Sequence, residues 1–460
     1  MIHRTGPSVG PVTRPLWAPP QLVDPDAEGC DPQWRRDLQQ RRLRELVDRL
    51  LRAEGLQARR LRAAGVHAGT DVSLDELAAL PTVRKADLWE HYPWGLLAAR
   101  REDIVCFHGS SGTSGRPTLV PYTAVDIAVW AEVMARALGG GGADRSSVIQ
   151  VAYGYGLFTG GQGVHHGGMR LGATVLPMSA GMTDRQLRLL ADLRPDVLCC
   201  TPSYAIYLGE ALRASGVAPG AASPIVGLFG AEPWTEGMRQ QIESLLGLRA
   251  LDIYGLSEII GPGVACESLD SGGLLNVAED HFYVEAVDNE GNPVPDGVAG
   301  ELVFSTLTKT GMPLLRYRSG DIATLHPPSP ESPRTLRRMG KLLGRADDML
   351  VIRGVNVFPS EIEAVLLADR RVGPHYLIVE DRRVPTRPEL RVAVEPMADT
   401  VDKDTLRDEL VAALRRSLGV GCVVRVVSPG RLPRTEAGKT TRLERWSEDG
   451  REPSRWQELF

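Results

Sequence analysis

The chain is poor in lysine. Of its 53 basic residues, only Lys85, Lys309, Lys341, Lys403 and Lys439 are lysines. The bias toward arginine follows from GC-rich codon usage and carries no function by itself, but it makes each lysine worth inspection. Neither sign of charge is in large excess: 58 acidic residues face the 53 basic ones, a net charge of -5. That excludes the electrostatic footprint of a nucleic-acid binder or of a protein drawn to anionic membranes. No stretch approaches the ~20 apolar residues of a membrane span. Met1-Ile2-His3-Arg4 leads into proline-rich sequence, not the apolar run of a secretory signal. The six cysteines form no Cys-x-x-Cys pair, and adjacent Cys199 and Cys200 are poorly placed to bridge each other. Reduced thiols and a cytoplasmic location are therefore expected. What remains is an ordinary globular composition, 43% hydrophobic and 24% charged over 460 residues. That is enough chain for two or three domains at roughly 150 residues each.

Residues 1–30 are punctuated by proline and predict an irregular tail. Trp34, Leu38, Leu43, Leu46, Val47, Leu50 and Leu51 recur at helical spacing, with Gly55 as the expected stop. Between about 145 and 255, the apolar runs Val148–Ala152, Val197–Cys200, Ile225–Phe229 and Ala250–Tyr254 read as buried strands. Helices separate them, so an α/β fold with mainly parallel strands is predicted. The strands Phe282–Val287 and Gly300–Phe304 read as antiparallel, and the proline- and arginine-rich segment His326–Arg338 as a surface loop. A smaller α+β region begins near 345. Its strands are expected around Met349–Ile352, Tyr376–Val379, Leu390–Val394 and Cys422–Val427, and a helix near Leu406–Leu418. Ser360 and Glu363 have capping-box spacing after Pro359.

Five motifs carry chemistry. His108 to Thr118 joins three glycines, five hydroxyl residues and Arg116, a composition able to wrap polyphosphate. A Gly/Ser surface turn has the same composition, and no Walker lysine follows at the required spacing. Tyr254-Gly255-Leu256-Ser257-Glu258 follows a predicted strand, where open α/β sheets place ligands, and the Glu258 carboxylate suits Mg²⁺. Tyr317-Arg318-Ser319-Gly320-Asp321 and Gly344-Arg345-Ala346-Asp347-Asp348 offer an aspartate for ribose hydroxyls and an arginine for phosphate or sugar. Gly438-Lys439 puts a cation on a glycine-containing loop, where it can meet negative charge developing in a transition state. Tyr153-Gly154-Tyr155-Gly156-Leu157-Phe158 can line a flat apolar slot suited to an aromatic ring. Each motif alone also reads as a surface turn, an ion pair or core packing.

Their order is more informative. Together with Gly230-Ala231-Glu232-Pro233, they resemble the adenylate-forming superfamily of acyl-CoA synthetases and ligases. Segments such as YGYGLFTGG, GAEPW and RGVNVFPSEIE are similar in particular to phenylacetate–CoA ligases. The resemblance runs from about 35 to 445. It implies an α/β fold with a large N-terminal adenylation domain of mixed sheets and helices (1–344), and a small mobile α+β C-terminal lid domain (345–460) hinged near Asp347. It implies a ligase that uses ATP and Mg²⁺ to turn an aromatic carboxylic acid into acyl-AMP, then passes the acyl group to CoA. Delivery to a carrier-protein thiol or an amine is the alternative. A decayed, non-catalytic nucleotide-binding protein is the alternative of another class.

By position, Ser110, Ser111, Gly112, Thr113, Ser114, Gly115 and Arg116 match the family's phosphate loop. Arg116 stands where lysine is usual, which keeps the charge but alters its geometry. Gly230, Ala231 and Glu232 match the stretch flanking adenine and the acyl group, which Pro233 follows. Tyr254, Gly255 and Ser257 match adenine-side positions, with Tyr254 expected to stack on the base. Asp321 matches the ribose-binding aspartate and Arg345 a further nucleotide contact. Glu258 matches the residue near magnesium, and Tyr153 and Phe158 the aryl pocket. Lys439 matches the lysine that contacts the carboxylate and α-phosphate during adenylation. A homodimer is implied. Cys266 and His281 fall where some relatives hold zinc, but Asn276 stands where histidine is often found, and two ligands do not make a closed zinc site. His165 and His166 are expected to be pocket-edge or packing residues.

Overall fold

A computed structural model describes residues 22–94, 96–110, 118–221, 224–346, 348–352, 355–384, 388–432, 434, 442–447 and 457–460. Its centre is a 12-stranded sheet. One half is parallel, in the order Thr174–Pro177, Val148–Val151, Val197–Cys200, Val226–Gly230, Arg249–Leu256. All but the edge strand Thr174–Pro177 are the apolar runs expected from sequence. Those four are largely buried because helices joining parallel strands cover the sheet's faces. Thr201 caps the helix Pro202–Ala214, its hydroxyl accepting the Tyr204 N–H, with Pro202 pre-set for the first turn. The helix Glu236–Leu246 stops at Gly247 in the left-handed conformation.

At Arg249–Leu256 the sheet changes character. Its other neighbour, Gly261–Cys266, runs antiparallel. Beyond it lie Leu275–Val277, Arg338–Met339, Tyr317–His326, Ala299–Thr306 and Phe282–Val287, all antiparallel. The short strand Gly344–Arg345 pairs with Tyr317–His326, placing Arg345 directly opposite Asp321.

The C-terminal part carries a four-stranded sheet ordered Cys422–Val426, Glu389–Pro396, Val372–Arg382, Leu443–Ser447. The central pair is antiparallel and both edge pairs are parallel. Helices Pro359–Leu367 and Lys403–Leu418 accompany it. Their apolar residues share a core cluster with Tyr204, Leu208, Met238 and Ile242 of the larger sheet's helices. No helix among the described residues is long and apolar enough to cross a membrane.

Four local expectations differ from the structure. Pro25–Glu28 forms a short helix inside the stretch expected to be irregular. The long helix Pro32–Ala53 ends on Glu54 in the left-handed region, and Gly55 instead begins the helix Leu56–Ala63. The loop between His326 and Arg338 is not wholly superficial, because Arg334 is buried in ion pairs with Glu28 and Asp270. The helix after Pro359 is capped from Glu361, whose carboxylate accepts the Phe358 N–H at 2.8 Å. Glu363, expected in the capping box, faces elsewhere.

Candidate active site

The strand Arg249–Leu256 lies where parallel and antiparallel halves of the sheet meet, and its carboxyl end is the end at which open α/β sheets place ligands. Gly255 is required there: a Cβ at that residue would lie 1.8 Å from the Gly261 carbonyl oxygen. The next turn carries Ser257 and Glu258. It is held from beneath, with the Tyr122 hydroxyl donating to the Ser257 carbonyl at 3.0 Å and Lys309 Nζ donating to the Glu258 carbonyl at 2.9 Å. Lys309 is buried, with its ammonium 4.9 Å from the Tyr122 ring centre. Burial pushes its pKa down to about 8, against the opposing pull of Asp126 and Glu258. The Glu258 carboxylate is also buried and lies 3.6 Å from Lys85 Nζ.

Beside this turn, three residues lock together. Tyr254 donates its hydroxyl to Asp321 Oδ2 at 2.7 Å, and Arg345 donates to Asp321 Oδ1 at 2.8 Å. The Tyr254 ring stacks against Phe304 at 5.9 Å. Burial and the neighbouring Asp321 carboxylate push the Tyr254 hydroxyl far above its ordinary pKa, so it stays a donor. The aspartate is thus fixed in place.

On the parallel side, Val226–Gly230 leads into Ala231, which adopts a left-handed backbone with φ 72°. That conformation costs an L-residue about 1–2 kcal/mol. It turns the chain so that Glu232 accepts the Ser203 N–H at 2.6 Å, while Pro233 is exposed. Tyr153 is buried, with its hydroxyl donating to the Leu228 carbonyl at 3.3 Å. Phe158 is half exposed. The segment between them is tied to the strand Ile104–Ser110, because the Leu157 carbonyl accepts the Gly109 N–H at 2.8 Å. That strand and Thr118–Thr123 pair antiparallel, with Ser110 opposite Thr118, and so enter and leave the phosphate-loop sequence. The loop residues Ser111, Gly112, Thr113, Ser114, Gly115 and Arg116, the hinge position Asp347 and Lys439 lie outside the described residues, as does the Ser110 side chain.

The structure therefore brings Tyr254, Asp321 and Arg345 into direct contact, with Gly255, Ser257 and Glu258 on the adjoining turn. Tyr153, Phe158 and the 230–233 turn lie on the parallel side. Lys85, Lys309 and Tyr122 were not assigned to the site from sequence; the scarcity of lysine was the one signal that could have raised the first two. His166 packs 6.0 Å from the Trp130 ring, and His165 lies against Tyr155. Cys266 Sγ donates to the Glu267 carbonyl at 3.2 Å. His281 gathers instead with Glu132 and Asp280, their ligand atoms within 4.8 Å of one another. Arg136 already supplies a cation there, donating to Asp280 at 2.9 and 3.0 Å, so the group is an ion-pair network.

Residues 42–309 match the family model of the AMP-binding enzymes, and 354–444 that of the AMP-binding enzyme C-terminal domain. The chain belongs to this adenylate-forming family. Within it, the chain is phenylacetate–CoA ligase-like. It is 45% identical to the phenylacetate-coenzyme A ligase of Thermus thermophilus, over 92% of this chain and 99% of that one. Among solved structures, it is similar to 2-hydroxyisobutyryl-CoA ligase in the postadenylation state. The TM-score is 0.85 and the identity 28%, with 92% of this chain and 91% of that one covered. Against the same ligase in the thioesterification state the TM-score is 0.69, at 30% identity and 93% coverage of both chains.

Proposed function

We infer that the chain is an AMP-forming acid–CoA ligase whose acid is aromatic, an aryl or arylacetic carboxylate. In the first half-reaction a carboxylate oxygen attacks the α-phosphorus of ATP, and the bond to pyrophosphate breaks. In the second, the CoA thiol attacks the acyl carbon of acyl-AMP and AMP leaves. Neither step needs a protein nucleophile; both need positioning and charge neutralisation.

The observation that carries this reading is the clamped Asp321. Held by Tyr254 and Arg345, it presents a fixed acceptor for the ribose hydroxyls. The phosphate loop, Ser110 to Gly115, takes the polyphosphate with Arg116. Gly230, Ala231, Glu232 and Pro233 flank adenine and the acyl group, with Gly255 and Ser257 beside the base. Tyr153 and Phe158 line the aryl pocket. Lys439 meets the carboxylate and α-phosphate during adenylation, and rotation about Asp347 moves it away for thioester formation. The buried Glu258 carboxylate is a hard oxygen donor and fits magnesium, which it would hold beside the phosphates. When bound, the ion neutralises phosphate charge. We assign residues 1–344 to the adenylation domain and 345–460 to the mobile lid.

CoA as acceptor is supported by relatives named as coenzyme A ligases. The six free cysteines accord with a reducing cytoplasm, and we expect a homodimer, which sedimentation would test. The decisive experiment is acid-dependent pyrophosphate release from MgATP across an aryl-acid panel, with and without CoA. Release followed by a thioester supports the reading. Release without a thioester points to a carrier-protein or amine acceptor. Loss of all acid dependence, with ATP still bound, points to a decayed site.

A further inference from the structure

Arg442 lies three residues after Lys439 and just before the last strand of the C-terminal sheet. Its carbonyl accepts the Ile378 N–H at 2.7 Å, fixing it to that sheet. Its side chain leaves the sheet. The guanidinium donates to Ser203 Oγ at 3.0 Å and reaches Met238 Sδ at 3.6 Å, both on helices of the larger unit. It also lies over the Tyr376 ring at 5.0 Å and 3.8 Å from Glu363. The Tyr376 hydroxyl donates to Glu363, whose other oxygen accepts the Thr235 N–H at 2.9 Å. Ser203 in turn donates its N–H to Glu232. The C-terminal sheet thus grips the segment that follows Gly230, next to the proposed acyl and adenine positions.

Steric fit closes the same contact. Gly237 faces Leu367, and a Cβ at 237 would lie 2.7 Å from Leu367 Cβ and 3.3 Å from its carbonyl oxygen. Helices Glu236–Leu246 and Pro359–Leu367 can approach this closely only over a glycine.

We propose that Arg442 is a positioning residue: its bridge to Ser203 and Glu363, closed over Gly237, latches the C-terminal unit in the arrangement that serves adenylation. Lys439 precedes Arg442 by only three residues in sequence, so the latch acts on the stretch of chain that the functional reading assigns to adenylation. A mostly buried guanidinium is costly to leave half-paired, which favours forming or breaking its contacts together. The latch must open before the acyl group passes to CoA. The tighter superposition on the postadenylation structure than on the thioesterification structure accords with this arrangement. The inference rests on the functional reading above for the role of Lys439.

The test uses the full chain and the variants Arg442→Ala and Gly237→Val. Pyrophosphate release from MgATP and aryl acid is measured separately from thioester formation with synthetic aryl-AMP and CoA. The first should fall at least about tenfold in both variants, with the second within about twofold of the unmodified enzyme. Equal losses in both halves, or an unchanged first half, overturn the latch. If Arg442→Ala does not fold, Gly237→Val decides alone, since it adds bulk at a half-buried surface and removes no charge. Solution scattering gives a readout independent of activity: both variants should be more extended than the unmodified chain, and identical profiles overturn the proposal. An unmodified chain that releases no pyrophosphate with any acid would defeat the functional reading, while scattering would still judge the latch.

Discussion

The Tyr254 hydroxyl lies 2.7 Å from Asp321 Oδ2, although 67 residues separate the two in sequence. It makes the aspartate rigid before any nucleotide arrives. Tyr254→Phe keeps the ring against Phe304 and removes only this donor. A hydrogen bond to a charged group is worth about 1.5–3 kcal/mol, so the KM for ATP should rise about tenfold or more, with little change in the acid profile. Steady-state kinetics with ATP varied would show it; an unchanged KM would remove Tyr254 from the nucleotide site.

Lys309→Met should lower both stability and turnover. The Glu258 carbonyl loses a buried donor, a cost of about 1–3 kcal/mol, and the turn bearing Glu258 loosens. The pH dependence has a definite sign. The folded pKa of Lys309 is near 8 and its ordinary value is 10.5, so between these values the unfolded chain binds more protons than the native one. Stability of the unmodified enzyme relative to the variant should therefore rise with pH across that window. Urea unfolding at pH 7.5 and pH 10 measures the difference, and a constant difference would contradict the assignment.

Asp252 behaves oppositely. Burial pushes its carboxyl from 3.8 up to about 6, so between those values the native state binds more protons than the unfolded chain. Its contribution to stability is fully present below about pH 4 and is lost as pH rises through 6. Asp252→Asn should therefore gain on the unmodified protein by up to about 3 kcal/mol between pH 4 and pH 7. Denaturation midpoints at the two pH values would reveal it; equal gains at both would place the cost elsewhere.

Phe158→Ala should alter the choice of acid while leaving the KM for ATP within about twofold. Phe158 is half exposed on the parallel side of the sheet and touches none of the Tyr254–Asp321–Arg345 group in the described contacts. An unchanged acid profile would place it outside the pocket.

Much of this was readable from sequence because the signals were local. The runs around Val148, Val197, Val226 and Ala250 are mostly apolar, as buried parallel strands are, with Gln150 and Asp252 the polar exceptions, and all four are strands. The YGLSE, RYRSGD and GRADD motifs contain the three residues that meet in the fold, Tyr254, Asp321 and Arg345. What escaped depended on distant partners. Arg442 meets Ser203 239 residues away, and no local pattern marks such a pair. Glu363 had the spacing of a cap, but Pro359 takes the first helical position, which makes Glu361 the reciprocal partner and leaves Glu363 available to Thr235 and Tyr376. Arg334 looked like part of a solvated loop because its partners, the buried Glu28 and the half-buried Asp270, come from two other segments.

The change from parallel to antiparallel pairing at Arg249–Leu256 also divides labour within the enzyme. Tyr254 sits on that seam, and Asp321 and Arg345 lie on its antiparallel side. Tyr153, Phe158 and Gly230 lie on the parallel side. On the proposed assignment, substitutions at Tyr153 and Phe158 that retune the acid fall on a different flank from Tyr254, Asp321 and Arg345, while the turn at Gly230 touches both ligands. A lineage built on this sheet would then explore new carboxylic acids by drift around Tyr153 and Phe158 while the Tyr254–Asp321–Arg345 group stays fixed.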